Sequence, residues 1–141
     1  MTAPVQTADG VEGAKSLAVL QGWTKALLSG RAPMEHNNYW SPDAVISVPK
    51  WLPYGGDYTM DRVMEYGGAM MSTWDVKPAP PSLYGVADKV FLHGRWTGTA
   101  RATGKAVDMA LLEIFTVRDG KIVRDEFFFE DSAALLEALK P

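Results

Sequence analysis

Residues 109–131 read MALLEIFTVRDGKIVRDEFFFED. Two strongly apolar runs, rich in β-branched and aromatic side chains, flank the dipeptide Asp119-Gly120 at the centre of this stretch. Asp-Gly between two such runs is a leading short-range signal for a β-hairpin. The stretch therefore predicts two long antiparallel strands, and each strand carries a carboxylate, Glu113 on the first and Glu126 on the second.

The register of this hairpin decides which side chains face each other. A turn with an even number of residues places Glu113 directly opposite Glu126. An odd-numbered turn places Asp125 or Phe127 opposite Glu113 instead. Like charges directly across a ladder repel each other. If both glutamates face an apolar interior, their charged forms are disfavoured and at least one pKa rises.

A raised carboxylate pKa lets an enzyme carry out acid–base chemistry near neutral pH without a cofactor. The hairpin thus predicts that Glu113, Glu126 or both line a pocket and act as catalytic groups. The alternative interpretation is that either glutamate lies on a solvent face or pairs with Arg95 or Arg124.

Length and composition favour one globular domain. The chain has 141 residues, of which 47% are hydrophobic and 22% charged. Such a chain can bury a sizeable core and is unlike a disordered segment. We expect a flexible lead over residues 1–13 and a single domain over residues 14–141.

Charge and composition also exclude several classes of function. With a formal net charge of -3 and dispersed basic residues, the sequence predicts no basic patch that would bind nucleic acid or an anionic membrane. No apolar stretch approaches the roughly 18 residues that span a bilayer, and residues 1–15 contain no pattern of a secretory signal. Without cysteine there is no disulfide, thiolate nucleophile or iron–sulfur site. A cytoplasmic location is the default expectation.

Helical periodicity in the first half and long strands in the second half indicate an α+β fold. The predicted helices cover residues 12–28, 33–39, 61–74 and 132–139, and Asp131 is the expected N-cap of the last one. The predicted strands cover residues 44–48, 90–100, 106–117 and 121–129. A Pro/Gly/aromatic loop is expected over residues 51–58, and an extended proline-rich segment over residues 77–81. The helices are expected to pack on one face of a curved antiparallel sheet.

Four segments carry a resemblance to a known family: LPYGGDY at residues 52–58, GTARATGK at 98–105, FTVRDGKIV at 115–123 and DSAA at 131–134. Together with the order of the elements, they resemble the SnoaL-like branch of the nuclear transport factor 2-like superfamily. The resemblance covers nearly the whole chain beyond about residue 14. This branch includes ketosteroid isomerase relatives, polyketide cyclases and small epoxide hydrolases.

The resemblance implies a cone-shaped α+β fold, in which the curved sheet wraps around the N-terminal helices and encloses a deep, mostly apolar pocket. Many relatives carry His where this chain has Glu113, and the acidic residue of their last strand corresponds to a position at or beside Glu126. The ketosteroid isomerase base lies near the junction of second helix and first strand, where Asn38 and Asp43 are the nearest polar residues. The epoxide hydrolases activate a water with carboxylates and an Arg or Asn, a set that Glu113, Glu126 and Asn38 could supply.

Aromatic and sulfur-containing side chains are candidates for the wall of the pocket. Tyr54 and Tyr58 lie in a glycine-rich loop, where a phenol can gate a pocket or donate a hydrogen bond to a substrate oxygen. The alternative for such residues is an ordinary place in the core. The predicted substrate-binding set is completed by Trp40, Trp96, Met64 and Phe115.

The remaining candidates concern metals and partners. His36 and His93 are too few to build a metal site, so we expect neither a metal nor another cofactor. The resemblance implies a frequent dimer through the outer face of the sheet. An exposed apolar patch on that face would also argue for a homodimer. The side chains predicted for this patch are Leu112, Ile114, Phe127 and Phe129.

Two hypotheses follow from these patterns. The first is a cofactor-independent acid–base enzyme, an isomerase, a cyclase or an epoxide-opening hydrolase, that acts on a hydrophobic oxygenated small molecule. The second is a non-catalytic ligand-binding or dimerisation module of the same fold. The second hypothesis predicts that the pocket carboxylates are neutralised within the protein, for example Glu126 by Arg95 or Arg124.

Overall fold

In residues 3–141, which the computed structural model describes, four α-helices and eight β-strands form the chain. The helices are α1 (Gly10–Leu28), α2 (Ala32–Tyr39), α3 (Val63–Thr73) and α4 (Ser132–Leu139). The strands are β1 (Gln6–Asp9), β2 (Trp40–Val48), β3 (Gly56–Thr59), β4 (Trp74–Val76), β5 (Ser82–Val86), β6 (Lys89–Ala100), β7 (Ala106–Arg118) and β8 (Lys121–Phe129). A short 3-10 turn, Met60–Arg62, leads into α3.

The eight described strands belong to one sheet, in the order β1-β5-β6-β7-β8-β2-β3, with β4 paired to β6 outside this path. The meander β5-β6-β7-β8 is antiparallel throughout. Two pairs, β1 with β5 and β2 with β8, are parallel, so the sheet is mixed rather than purely antiparallel. The predicted α+β class, with helices followed by a curved sheet, is confirmed.

The stretch predicted to be a flexible lead is ordered from β1 onward. Gln6–Asp9 pairs with β5, and the backbone N–H of Leu83 donates to the carbonyl of Val5 at 2.8 Å. The prediction missed this strand because its backbone pairing, rather than its composition, defines it. Met1 and Thr2 of the predicted lead lie outside the described residues.

Helix α1 is amphipathic and packs its inner face against the sheet. Its buried side chains, such as Leu17, Leu20 and Trp23, recur at three- and four-residue spacing, which places them on one face of a helix. The helix approaches β5 closely where Gly13 meets Gly85. A Cβ atom at Gly13 would lie 2.7 Å from the carbonyl oxygen of Gly85, so only glycine permits this approach.

The hairpin at Asp119-Gly120 forms as predicted. Both residues have positive φ, 52° and 76°, as a type I′ turn requires. Val117 pairs with Ile122, which is the pairing expected for an even-numbered turn. The predicted strands on both sides agree with β7 and β8.

A β-bulge then changes the register of the hairpin. The pairing shifts between Val117 and Thr116, which is opposite Arg124, so Val123 is an extra residue on β8. A shift of one residue moves every following side chain of that strand to the other face of the sheet. Beyond the bulge, Glu113 therefore pairs with Phe127 and not with Glu126.

The bulge determines which side chains of β8 point into the interior. Asp125, Phe127 and Phe129 point inward with Glu113, whereas Glu126 lies on the outer face, opposite Ile114. The prediction that Phe127 and Phe129 belong to an outer patch is therefore wrong, because it did not include the bulge.

Two apolar clusters fill the interior of the cone. The first lies between α1 and the sheet, and the second surrounds Trp74, Trp96 and Leu135 of α4. Phe127 and Phe129 contact both clusters. Among residues 3–141, no helix combines the length and the apolar character needed to cross a bilayer.

Candidate functional site

A cavity of about 370 Å³ lies where the two apolar clusters meet. Strands β6, β7 and β8 contribute most of the strand residues in its lining, and α3 contributes Tyr66 and Met70. The exposed lining residues include Leu27 and Leu28 at the end of α1 and Pro78 and Ala79 after β4, so the cavity opens between these two segments. Most of its lining is apolar, as expected for a small-molecule site.

Two carboxyl groups lie together in the wall of this cavity. Glu113 is on β7 and Asp125 is on β8, at diagonal positions of the inner face, since Glu113 pairs with Phe127 and Asp125 with Phe115. Diagonal neighbours on one face of an antiparallel pair are within reach of each other. The two carboxyls share a hydrogen bond, which requires a proton on one of them. The coupled pair therefore consists of Glu113 and Asp125.

Burial favours the protonated form of both carboxyls. It raises the pKa of Glu113 to about 7, and the hydrogen bond from Asp125 opposes this rise. Burial, the negative charge of Glu113 and the hydrogen bond to Glu113 raise the pKa of Asp125 well above its usual range. The two carboxyls therefore favour holding a proton between them, and the pKa of Glu113 is raised to about 7.

No positively charged side chain within residues 3–141 neutralises this pair of carboxyls. Neither Glu113 nor Asp125 takes part in an ion pair within residues 3–141. Oδ1 of Asp125 is enclosed and receives no N–H or O–H hydrogen bond there, while the whole residue is 4% exposed. Arg95, which borders the cavity, pairs instead with Asp108 at 3.0 Å. A buried ion would be costly under these conditions, which explains why the pair retains a proton.

Two residues of the predicted catalytic set lie away from the cavity. Glu126 is on the outer face, and its carboxylate lies 3.6 Å from the guanidinium of Arg124. Asn38 is exposed on α2, and its backbone carbonyl accepts a hydrogen bond from Lys121 Nζ at 2.9 Å. The set of Glu113, Glu126 and Asn38 is therefore not brought together.

The two tyrosines of the glycine-rich loop differ in their roles. Tyr54 lines the cavity, and its hydroxyl oxygen accepts a hydrogen bond from Trp74 Nε1 at 2.9 Å. Burial raises the pKa of Tyr54 to about 12, so this phenol stays protonated. Tyr58 is buried in the core, and its hydroxyl donates to the carbonyl of Tyr54 at 2.7 Å. Tyr58 supports the loop rather than the cavity wall.

The other predicted wall residues are divided between cavity, core and surface. Trp96 lines the cavity and stacks edge-on against Trp74, with ring centroids 4.8 Å apart. Trp40 and Phe115 are buried together in the first cluster, 6.4 Å between centroids. Met64 is 79% exposed on the outer side of α3 and is not part of the cavity lining.

The sequence analysis missed Tyr66 of α3. Tyr66 lines the cavity, and burial together with the charges of Glu113 and Asp125 raises its pKa well above the usual range. Its spacing from Val63 and Met70 marks the inner face of α3, since residues three and four apart share a helix face. This spacing was a usable signal.

The two histidines lie apart from the carboxyl pair. His93 is exposed on β6, opposite Leu112. His36 stacks on Trp40 with centroids 5.4 Å apart, and burial lowers its pKa. Within residues 3–141, no group of three or more His, Asp or Glu side chains converges in a way that could hold a metal ion.

Sequence comparison assigns the chain to a family. The family model of the SnoaL-like domain matches residues 20–125, which include the second half of α1, both carboxyls and all of the cavity lining except Phe127 and Phe129. The chain belongs to the SnoaL-like domain family. No curated protein matches the sequence of this SnoaL-like chain.

Solved structures confirm the fold of this SnoaL-like domain. An NTF2-like protein from Burkholderia xenovorans LB400 superposes with a TM-score of 0.80 at 17% identity, over 93% of this chain and 100% of the other. A protein from Mesorhizobium loti named as a SnoaL-like polyketide cyclase gives 0.62 at 20% identity, over 79% and 96%. TerC, crystallised with polyporic acid, gives 0.73 at 18% identity, over 90% and 99%.

Proposed function

We propose that this SnoaL-like chain is a cofactor-independent acid–base enzyme that acts on a hydrophobic, oxygenated small molecule. The reaction class is proton abstraction from a carbon next to a carbonyl, leading to isomerisation or intramolecular cyclisation, or related epoxide opening. The single observation that carries the proposal is a buried carboxyl pair, Glu113 and Asp125, that no cation of the described residues neutralises and that borders an apolar cavity.

Each carboxyl has its own role in the proposed reaction. Glu113, ionised above a pKa of about 7, is the general base that takes the proton from carbon. Asp125 stays protonated, holds the Glu113 carboxylate through their hydrogen bond and stabilises its charged form. Glu113 then returns the proton to another atom of the substrate, so the enzyme is regenerated without a cofactor. Tyr54 is an auxiliary hydrogen-bond donor in the cavity wall.

The nature of the cavity supports a hydrophobic substrate. Its lining is predominantly apolar, and its volume of about 370 Å³ falls in the lower part of the range of small-ligand sites. TerC, which has the same fold, was crystallised with the small organic molecule polyporic acid. A ligand that fits this cavity can place an oxygenated end at the carboxyl pair and an apolar body towards the opening.

The competing hypothesis, a non-catalytic binding module, predicts a cavity whose polar groups are satisfied by the protein itself. Glu126 does pair with Arg124, but this ion pair lies on the outer face and does not neutralise the cavity carboxyls. A buried carboxyl pair without such neutralisation reduces stability, and groups of this kind cluster at functional sites. The enzyme hypothesis is therefore the better supported of the two.

The test is hydrogen–deuterium exchange next to the carbonyl of a panel of cyclic and aryl ketones in deuterated buffer. We expect the wild-type protein to catalyse exchange and Glu113→Gln to lower the rate at least ~100-fold, a usual contribution of a general base. Glu126→Gln is the matched control, because it makes the same change on the outer face, and it should retain the wild-type rate. Equal rates for the two variants, or no exchange with the wild-type protein, would support the binding module.

We also propose a homodimer through the outer face of the sheet, while a cytoplasmic location stays a prediction. Leu112 lies directly opposite Phe128, and Phe91 lies opposite Ile114, so four apolar side chains adjoin on this face. Phe128 is 48% exposed in the monomer. Large exposed apolar patches commonly mark protein–protein contacts, and a two-fold axis would let this one cover itself.

A further inference from the structure

A basic basin lies on the outer face of the sheet, near the hairpin turn at Asp119-Gly120 and across the sheet from the carboxyl cavity. Its lining contains four positively charged side chains and two carboxylates, Asp43 and Asp119, in a chain whose net charge is -3. The pairing of β6, β7 and β8 brings these cations together. They are Lys89, Arg118, Lys121 and Arg124.

The β-bulge on β8 builds this basin. Lys89 lies opposite Thr116, and Thr116 lies opposite Arg124, so the three side chains form one row across β6, β7 and β8. If the pairing continued regularly from the turn, Arg124 would be opposite Phe115 and would face the interior. The shift that turns Asp125 into the cavity therefore also turns Arg124 out to the basin.

Three of the four cations have no carboxylate partner within residues 3–141. Nζ of Lys89 donates to Oγ1 of Thr116 at 2.6 Å, and Nζ of Lys121 donates to two backbone carbonyls at the end of α2 at 2.8 and 2.9 Å. These neutral acceptors hold the ammonium groups in place and leave their charges uncompensated. Arg118 is exposed and forms no ion pair in this part of the chain, whereas each of the other five arginines does.

The positions of these cations do not favour stability. Arg118 lies directly opposite Lys121, and like charges at directly opposite positions of a ladder destabilise it. Lys89 adds a third positive charge in the adjacent row. An anion bound among the three would remove this repulsion. The arrangement is therefore the one expected of a site for a negatively charged ligand.

Two hydroxyl groups of the basin have protons to donate. Thr116 is 5% exposed, and its oxygen accepts from Lys89. The oxygen of Ser41 accepts from the backbone N–H of Asp43 at 3.2 Å. Neither hydroxyl donates to a protein group within residues 3–141, so each has one proton available for a ligand oxygen. Charged N–H groups together with hydroxyl donors suit an oxyanion.

We propose that this basin binds the phosphate group of a small phosphate monoester. Such a group carries a charge of about -2 at neutral pH and has three acceptor oxygens. The guanidinium of Arg118 can donate to two of these oxygens side by side. The ammonium groups of Lys89 and Lys121 each keep an N–H that no protein group of residues 3–141 receives, because an ammonium has three donors. The site lies across the sheet from the cavity and does not depend on the proposed acid–base reaction.

The test is a titration of isotopically labelled protein with glycerol phosphate, followed by NMR of the backbone amides. It is carried out at constant ionic strength and a pH of about 7.5, where the monoester is mostly dianionic. We expect saturable shifts centred on residues 116–124. Arg118→Gln should raise the dissociation constant about tenfold or more, because it removes charge-assisted hydrogen bonds. Lys89→Gln should raise it in the same direction.

The matched control is Arg62→Gln, which removes the same charge from an exposed arginine that pairs with Glu65. It should keep the wild-type dissociation constant. Dimethyl phosphate, a diester with a single negative charge, should bind at least about tenfold more weakly than glycerol phosphate. Three results would overturn the assignment: no saturable shift in the wild-type protein, an equal effect of Arg118→Gln and Arg62→Gln, or equal affinity for the diester and the monoester.

Ketone exchange separates this inference from the proposed function. Arg118→Gln should exchange ketones at the wild-type rate, and Glu113→Gln should bind glycerol phosphate as the wild type does. If the wild-type protein exchanges no ketone but binds glycerol phosphate through Arg118, the proposed reaction is wrong and the phosphate site stands. If it exchanges ketones but gives no saturable shift with glycerol phosphate, the phosphate site is wrong and the proposed reaction stands.

Discussion

Glu113 makes the stability of the protein depend on pH in an unusual direction. In the unfolded chain this carboxyl ionises at its ordinary value of 4.5, whereas burial raises the folded pKa to about 7. Between these values the folded state binds more protons than the unfolded state, so its stability falls as the pH rises. The contribution is fully present below 4.5 and is lost above about 7.

We therefore expect the free energy of unfolding of the wild type, relative to that of Glu113→Gln, to decrease between pH 4.5 and pH 7. The decrease should reach up to ~3 kcal/mol, because each unit of pKa corresponds to about 1.36 kcal/mol. Urea unfolding of both proteins at a series of pH values measures it. Glu126→Gln serves as the control, and the same pH trend in both comparisons would contradict burial of Glu113.

At the scale of single residues, the sequence predicted one half of the site. Glu113 was identified because it lies among apolar residues on a strand beside a recognisable turn. Its partner was assigned to Glu126, with Asp125 left as an alternative, because the turn itself contains no information on the bulge at Val123. A bulge depends on how β8 must bend to pair with both β7 and β2, which is a property of the whole sheet.

At the scale of elements, helix α3 borders the cavity through a partly buried face. None of its residues is fully buried, although Tyr66 and Met70 line the cavity. Gly67 and Gly68 lie in the middle of this continuous helix, and a Cβ atom at either position would meet no atom within 4 Å beyond the neighbouring helix backbone. Neither glycine has a positive φ, so no local backbone requirement explains them.

We predict that Gly67→Ala and Gly68→Ala each raise the free energy of unfolding by about 0.5–1 kcal/mol, since alanine restricts the unfolded chain more than glycine does. Urea denaturation at neutral pH measures the effect. Gly85→Ala is the contrasting variant, because its Cβ would press on the backbone of Gly13 and lie 3.0 Å from Leu17 Cβ. Gly85→Ala should lower the free energy of unfolding by at least ~1 kcal/mol. A lower free energy of unfolding in the α3 variants would instead contradict the open space around Gly67 and Gly68.

The elements that the sequence predicted are those that carry their own signals. Helix α1, the long strands β6, β7 and β8, and the final helix with its Asp131 cap all form close to the expected bounds. The missed strands β1, β3, β4 and β5 have three to five residues each. Such short segments become strands because a neighbouring strand offers backbone partners, which periodicity cannot reveal.

At the scale of the whole molecule, the proposed dimer predicts a clear effect of charge on the outer face. Phe128→Glu should convert the wild-type dimer to a monomer in size-exclusion chromatography with light scattering. A charge at the centre of an apolar contact is expected to weaken association by about 2–4 kcal/mol. The control is Met64→Glu, an equally drastic change at an exposed residue of α3. A monomeric wild type, or dissociation of both variants alike, would contradict the proposed interface.

The overall architecture was predictable because composition, element order and family-specific segments agreed, and the fold of distant relatives confirms it. The contents of the cavity were less predictable. Which side chains meet at the centre of a cone depends on register, twist and bulges summed over the sheet. For this reason, Trp40, Tyr58 and Phe115 lie in the core while Asp125 reaches the cavity. Met64 and Tyr66 differ because they lie on different faces of α3.

The most direct test of the central claim is an NMR titration of the side-chain carboxyls in the wild type, Glu113→Gln and Glu126→Gln. The account predicts that the pKa of Glu113 lies near 7 in the wild type and in Glu126→Gln. It also predicts that the raised pKa of Asp125 falls when Glu113 is neutralised, because the charge of Glu113 is one cause of the rise. An ordinary pKa of 4.5 for Glu113, or an Asp125 pKa that does not respond to Glu113→Gln, would contradict a coupled, buried acid–base pair.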